Sequence, residues 1–192
     1  MKHRLTLSLL VTLAGLILIG LLAIFILNPE RQSTDAIGGA FTLTDQRGAV
    51  VTEAALKGAP SLVFFGFTHC PDVCPTALFE ISQLYKTLGP KGDQLKSFFI
   101  TVDPERDTPE SLKAYLDSFD PRITGLTGAR EQVDNAMRAY RAFARKVPLE
   151  GGGYVMDHTA LVYLMDKKGR FVSSMNFERP PEENAKRIAD LF

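Results

Sequence analysis

Cysteine is scarce in this chain. There are two in 192 residues, Cys70 and Cys74, and three histidines, so few side chains are available for metal or redox chemistry. A bridge between thiols so close in sequence would close too short a loop to add much stability, which makes a structural staple a poor use of the pair. Excess charge is also missing: 22 basic residues balance 22 acidic ones, and this excludes nucleic acid as the partner. No internal repeat occurs, and Gly151-Gly152-Gly153 is the only low-complexity tract.

One long apolar run is present. Residues 1–4 are a short basic n-region, and Leu5 to Leu27 follow without a charged side chain. That run is long enough for a transmembrane helix, which needs about 20 residues, and exceeds the roughly 7–15 of a cleavable signal core. Lys2 and Arg4 in front of it favour a cytoplasmic N-terminus and an exported body. A cleaved signal peptide is the alternative, and it exports the body as well. The expected location is a bacterial inner membrane, crossed once, with the globular part in the periplasm. Thiols there meet an oxidising environment, so a pair is either a disulfide or is maintained for a purpose.

Residues 28–40, rich in polar residues with one proline and two glycines, read as a tether, and residues 41–192 as the folded domain. Phe41 to Val51 alternates around Gln-Arg-Gly as a hairpin. Ser61 to Phe67 is a continuous apolar run of strand length, suited to a strand buried on both faces. Pro75 fits the first turn of a helix reaching Leu88, with Leu78, Ile81, Leu84, Tyr85 and Leu88 on one stripe. Leu95 to Asp103 reads as a second buried strand. Thr108 is the expected cap of the next helix, with Pro109 at its first position and Glu110 in its first turn. Arg122 to Gly128 is a short strand, residues 129–147 a charged amphipathic helix, His158 to Met175 a hairpin, and the last segment a helix. This order predicts an α/β fold, a thioredoxin-like mixed sheet flanked by helices, with the cysteines where the first central strand passes into a helix.

At a spacing of four, both thiols face one side of a helical turn, about 5–6 Å apart at Cβ. A disulfide prefers about 3.5–4.5 Å, while a metal about 2.3 Å from each sulfur fits more readily. The helix N-terminus favours thiolate over thiol. A third ligand has few sources. His3 precedes the membrane run, His69 is next to Cys70 but diverges from it at a strand end, and His158 follows the glycine run at the start of a predicted buried strand. Two sulfurs and one nitrogen fall one ligand short of a closed zinc site and suit copper, Cu(I) in particular. On these grounds soft-metal binding and thiol redox chemistry stand level.

Three segments, FFGFTHCPDVCP (64–75), TVDPERDTP (101–109) and VMDHTALVYLMDKKGRF (155–171), together resemble the Sco/SenC family of membrane-anchored copper proteins that assist cytochrome c oxidase assembly. The resemblance spans residue 41 to the end. It implies a thioredoxin-like domain in which Cys70, Cys74 and His158 hold copper as Cu(I) or Cu(II). It implies as partner cytochrome c oxidase subunit II, whose dinuclear copper site must be reduced and loaded, with another periplasmic copper chaperone as a possible donor. Asp103 and Asp107 match the family's acidic pair and are expected to support the ligands or to dock the partner; otherwise they only end a strand and begin a helix. Met156 is a soft thioether that could compete as a ligand. Two enzyme readings stand beside this one. A periplasmic thiol-disulfide oxidoreductase would usually space its cysteines by two residues rather than three. A thiol peroxidase would need an arginine brought in from a distant part of the chain.

Overall fold

The computed structural model describes residues 37–192 and, before them, only Gly15 and Ile17. The predicted anchor and most of the tether therefore lie outside the described residues, and among those described no helix is long and apolar enough to cross a membrane. Residues 37–40, assigned to the tether, already belong to the body. Ile37 packs on the core, and the Gly38 N–H donates to the Ala139 carbonyl at 2.9 Å.

Nine strands, four α-helices and two short 3-10 helices follow among the described residues. A seven-stranded mixed sheet has the order β2-β1-β5-β4-β3-β8-β9, built from β1 (Thr42–Asp45), β2 (Val50–Thr52), β3 (Ser61–Gly66), β4 (Lys96–Thr101), β5 (Ile123–Thr127), β8 (Val162–Met165) and β9 (Phe171–Ser174). Its centre, β3-β4-β5, is parallel, with Phe64 paired to Phe99 and Phe99 to Gly125, while β1 and β8 join it antiparallel. Every residue of β3 is buried, as an apolar run without alternation requires.

Adjacent residues of a strand point to opposite faces, and the aromatics show this clearly. Phe64 stacks on Phe99 and Phe99 on Tyr115 of α2 (Pro109–Leu116). Phe65 instead meets Tyr140 of α3 (Arg130–Tyr140) at a tilt and Tyr163 edge-on. Helix α1 (Val73–Leu88) packs against the terminal helix α4 (Pro181–Ala189). The α1 stripe predicted from sequence is the buried one: Leu78, Ile81, Leu84, Tyr85 and Leu88, together with Cys74. The α2 cap is as expected, with Thr108 Oγ1 accepting from the Ser111 N–H at 3.2 Å.

The helix expected over residues 129–147 stops at Tyr140. Arg141 takes a left-handed conformation, φ 54°, and the Ala142 and Arg141 N–H groups return to the Met137 and Arg138 carbonyls. This is a helix-closing motif usually built on glycine, so the arginine there gives no signal in sequence. The chain then forms β6 (Ala144–Pro148), which pairs antiparallel with β7 (Tyr154–His158) as a separate two-stranded sheet. Gly151, Gly152 and Gly153, all at positive φ, make the turn between them. His158 is thus the last residue of a small hairpin, not the first of a buried strand; that strand begins at Val162.

Candidate metal centre

Parallel strands β3 and β4 end together at Gly66 and Thr101, and the loops leaving them carry most of the site. After β3 the chain turns at Thr68 and His69, with the Cys70 N–H bonded to the Phe67 carbonyl, and enters α1 at Val73. Asp72 occupies the N-cap without a side-chain bond. Cys70 Sγ takes over part of that role, accepting the Cys74 N–H at 3.4 Å. An uncapped helix N-terminus is a favourable place for negative charge.

The two thiols are unlike. Cys70 is 9 % exposed and Cys74 not at all. A hydrogen bond from the Cys74 thiol, helped by the backbone N–H groups of Asp72 and Cys74, lowers the Cys70 pKa to about 5 despite burial. The same hydrogen bond, now to a neighbouring thiolate, together with burial raises that of Cys74 far above the ordinary thiol range. The pair thus shares one proton at neutral pH, with Cys70 the more acidic thiol. Both cysteines are free.

His158 comes to the same point from the β6–β7 hairpin. Its Nδ1 bonds the Thr159 carbonyl at 3.0 Å, which leaves Nε2 facing Cys74 Sγ at 3.5 Å. Phe67 meets the imidazole edge-on at 5.6 Å between centroids. Ligand atoms of Cys70, Cys74 and His158 all lie within 4.8 Å of one another, so one ion could touch all three. The cluster opens into a cleft of about 290 Å³ lined by Phe67, Pro71, Val73, Val155 and Ala160 among others. A larger recess of about 380 Å³ between the β1–β2 turn and the end of α2 contains none of these groups. Met156, two residues before His158, is buried and lines the same cleft. His69 turns away: its ring is exposed and bonds Thr68 Oγ1 at 3.0 Å.

Asp103 and Asp107 stand outside the ligand cluster. Both are fully buried, and their carboxylates bond side chains of the protein itself. Asp107 accepts from the Thr68 N–H (3.1 Å), the Thr68 hydroxyl (2.6 Å) and the Thr101 hydroxyl (2.6 Å), tying the cysteine loop to the end of β4. Asp103 accepts from the Tyr154 hydroxyl at 2.9 Å and from Arg106 Nε. Thr68, Arg106 and Tyr154 are the side chains that these carboxylates hold. All three lie inside or beside the chemistry-bearing segments, but only the folded chain shows what they hold. Among the described residues neither sulfur bonds an arginine or lysine, the group the peroxidase reading requires.

Fold and site together define a class: thioredoxin-like proteins that set a dithiol and an imidazole around one point at the ends of the central strands. Comparison with known proteins narrows it. The chain belongs to the SCO1/SenC family, whose model matches residues 29–192. It is 39 % identical over 158 residues to the SCO2-like protein RP587 of Rickettsia prowazekii, covering 81 % of this chain and 75 % of that protein. It is similar to Bradyrhizobium japonicum ScoI, solved with copper bound, at 54 % identity and a TM-score of 0.79, covering 82 % of this chain and all of that one. Yeast Sco1 with copper bound aligns at 39 % identity and a TM-score of 0.74, over 81 % of this chain and 87 % of that one.

Proposed function

We propose that this chain is a membrane-anchored, exported copper metallochaperone in which Cys70, Cys74 and His158 hold one copper ion for delivery to the dinuclear site of cytochrome c oxidase subunit II. The observation that carries the reading is the convergence of two sulfurs and one imidazole nitrogen within 4.8 Å at the mouth of an open cleft. Cys70 is already a thiolate at neutral pH, Cys74 gives up its proton on loading, and His158 presents Nε2. Two thiolates and an imidazole suit copper, and fewer than four protein ligands leave room for an incoming ligand from the partner. Two relatives solved with copper bound support the choice of metal. Residues 5–27 supply the anchor, and family membership supports the oxidase as destination.

The test is copper content and the sulfur-to-Cu(II) charge-transfer spectrum of the reduced chain, beside Cys74→Ala and His158→Ala. One copper per chain, with the spectrum lost or altered in both variants, is expected. Tight stoichiometric copper with an unchanged spectrum in either variant refutes the ligand set.

A second reading is favoured by the inequality of the thiols: a depressed, partly accessible Cys70 and a buried, protonated Cys74 are the arrangement of an attacking and a resolving thiol. Acting on a partner disulfide, the Cys70 thiolate would displace one partner sulfur as thiolate, and Cys74, giving its proton to that thiolate, would close on Cys70 and release the second; the pair passes on two electrons and the one proton it holds, and the other proton comes from water. Turnover of a disulfide substrate by copper-free protein tests this.

A further inference from the structure

The hairpin that carries His158 is not part of the main sheet, so something else must hold the imidazole over the thiols. Residues alternate along β7, and Tyr154, Met156 and His158 share one face. Tyr154 and His158 are four residues apart, about 13 Å along the strand, so a displacement at one end is carried to the other.

Tyr154 is gripped by the loop between β4 and α2. Its hydroxyl donates to Asp103 Oδ1 at 2.9 Å. Its backbone carbonyl accepts Arg106 Nη1 at 3.0 Å, and the same guanidinium lies 3.8 Å from the centre of its ring. Arg106 Nε also bonds Asp103, which closes a three-residue ring of contacts, and Asp103 is fully buried. The guanidinium is 5.8 Å from the Phe67 ring, which abuts the imidazole. On the neighbouring strand Lys146 pairs with Glu105 of the same loop and lies 4.6 Å from the Tyr154 ring. Three adjacent side chains in the tyrosine clamp, all remote from the sulfurs in sequence, bind the turn end of the hairpin to the body.

We propose that Tyr154 is a positioning residue for His158: clamped by Asp103 and Arg106, it fixes β7 so that the imidazole stays on the two thiols, and the clamp sets how fast copper leaves. The proposal rests on His158 being a copper ligand.

The experiment uses the full chain in detergent, loaded with one Cu(I) and chased with excess of a strong Cu(I) chelator. Partners that orient a metal-binding histidine commonly contribute 10- to 100-fold to affinity, so Tyr154→Ala is expected to release copper about tenfold faster or more. Tyr154→Phe keeps the ring and loses only the hydroxyl, so its effect is smaller. In a His158→Ala background the same Tyr154 substitution should change release by less than about twofold, because coupled residues are not additive. In the copper-free protein, amide hydrogen exchange over Val155–His158 should quicken in Tyr154→Ala.

Unchanged release and exchange overturn the proposal, as does equal acceleration in both backgrounds, which marks a general structural effect. If Tyr154→Ala does not fold, Tyr154→Phe is judged by the same cycle. If His158→Ala alone leaves release at the wild-type rate, the ligand reading fails by itself and the clamp proposal falls with it.

Discussion

Gly66, the last residue of β3, lies directly behind the buried thiol, and replacing it with alanine tests whether the site is held without slack. A methyl group there would lie 2.5 Å from Phe99 Cε2, 3.0 Å from Phe99 Cζ and 2.7 Å from Cys74 Sγ. Unstrained contacts are about 3.5–4.0 Å, so room must open by roughly 1 Å on two sides. Neither neighbour has free space. Phe99 is fully buried between Phe64 and Tyr115, and Cys74, also fully buried, is fixed in the first turn of α1. Overpacking costs about 1–3 kcal/mol, and two immobile neighbours put Gly66→Ala near the upper end. In a domain of this size that lowers Tm by roughly 6–12 °C. Thermal unfolding and copper stoichiometry are measured together. Phe99→Leu removes one of the two obstacles, so the double variant should cost less than the sum of the singles. A Tm within about 2 °C of wild type, or strict additivity with Phe99→Leu, would refute the argument that Gly66 is chosen to make room for Cys74.

Three further expectations follow from the same geometry. The Cys70 pKa is lowered from 9.0 to about 5, so thiolate absorbance should show one group titrating near pH 5 and no second group below about pH 9; a single two-thiol step near pH 8–9 would contradict the shared proton. Because the folded state lowers this pKa, its contribution to stability is complete above pH 9 and is lost as pH falls toward 5, so reduced protein should gain more from the pair at pH 9 than at pH 5 relative to Cys70→Ala. Asp107→Ala strips the acceptor from three hydrogen-bond donors, of which the Thr101 hydroxyl is fully buried and the two on Thr68 partly so; at about 1 kcal/mol for each donor left unpaired it should destabilise by roughly 3 kcal/mol in urea unfolding, and a loss under about 1 kcal/mol would mean that the loop repairs itself.

Much of this fold could be read in the sequence because its central strands announce themselves. Ser61–Gly66 is a mostly apolar run of strand length, Lys96–Thr101 is centred on Phe98, Phe99 and Ile100, and α1 and α2 carry a buried stripe or an N-cap that local chemistry dictates. The cysteine pair was legible for the same reason, since strand, turn and helix follow in one short segment. The β6–β7 hairpin was not legible. The stripe Val133, Ala136, Met137 and Tyr140 sets a helical period that residues 141–147 do not visibly break, and the break is made by an arginine in a conformation normally left to glycine. Missing that stop moved His158 from a hairpin end to a strand start. Asp103 and Asp107 could be picked out, but their burial and their hydrogen-bond partners, 39 and 51 residues away for Thr68 and Tyr154, depend on the tertiary fold.

The two carboxylates divide the work of holding the site, and the division explains why one short loop carries both. Asp107 bonds Thr68, two residues before Cys70, and so anchors the sulfur side. Asp103 bonds Tyr154, four residues before His158, and so anchors the nitrogen side. Between them the backbone closes on itself, with the Asp107 and Arg106 N–H groups both donating to the Asp103 carbonyl, so the two anchors cannot move independently. The Asp107 carbonyl is in turn held by the Thr127 hydroxyl at the end of β5. The sulfurs and the imidazole thus reach one point from opposite sides of the cleft, each through a single hydrogen-bonded side chain fixed to the same rigid turn. The cysteine loop is also tied into the central sheet, whereas β6 and β7 pair only with each other, so the histidine side depends on the Asp103–Tyr154 bond for its place over the dithiol.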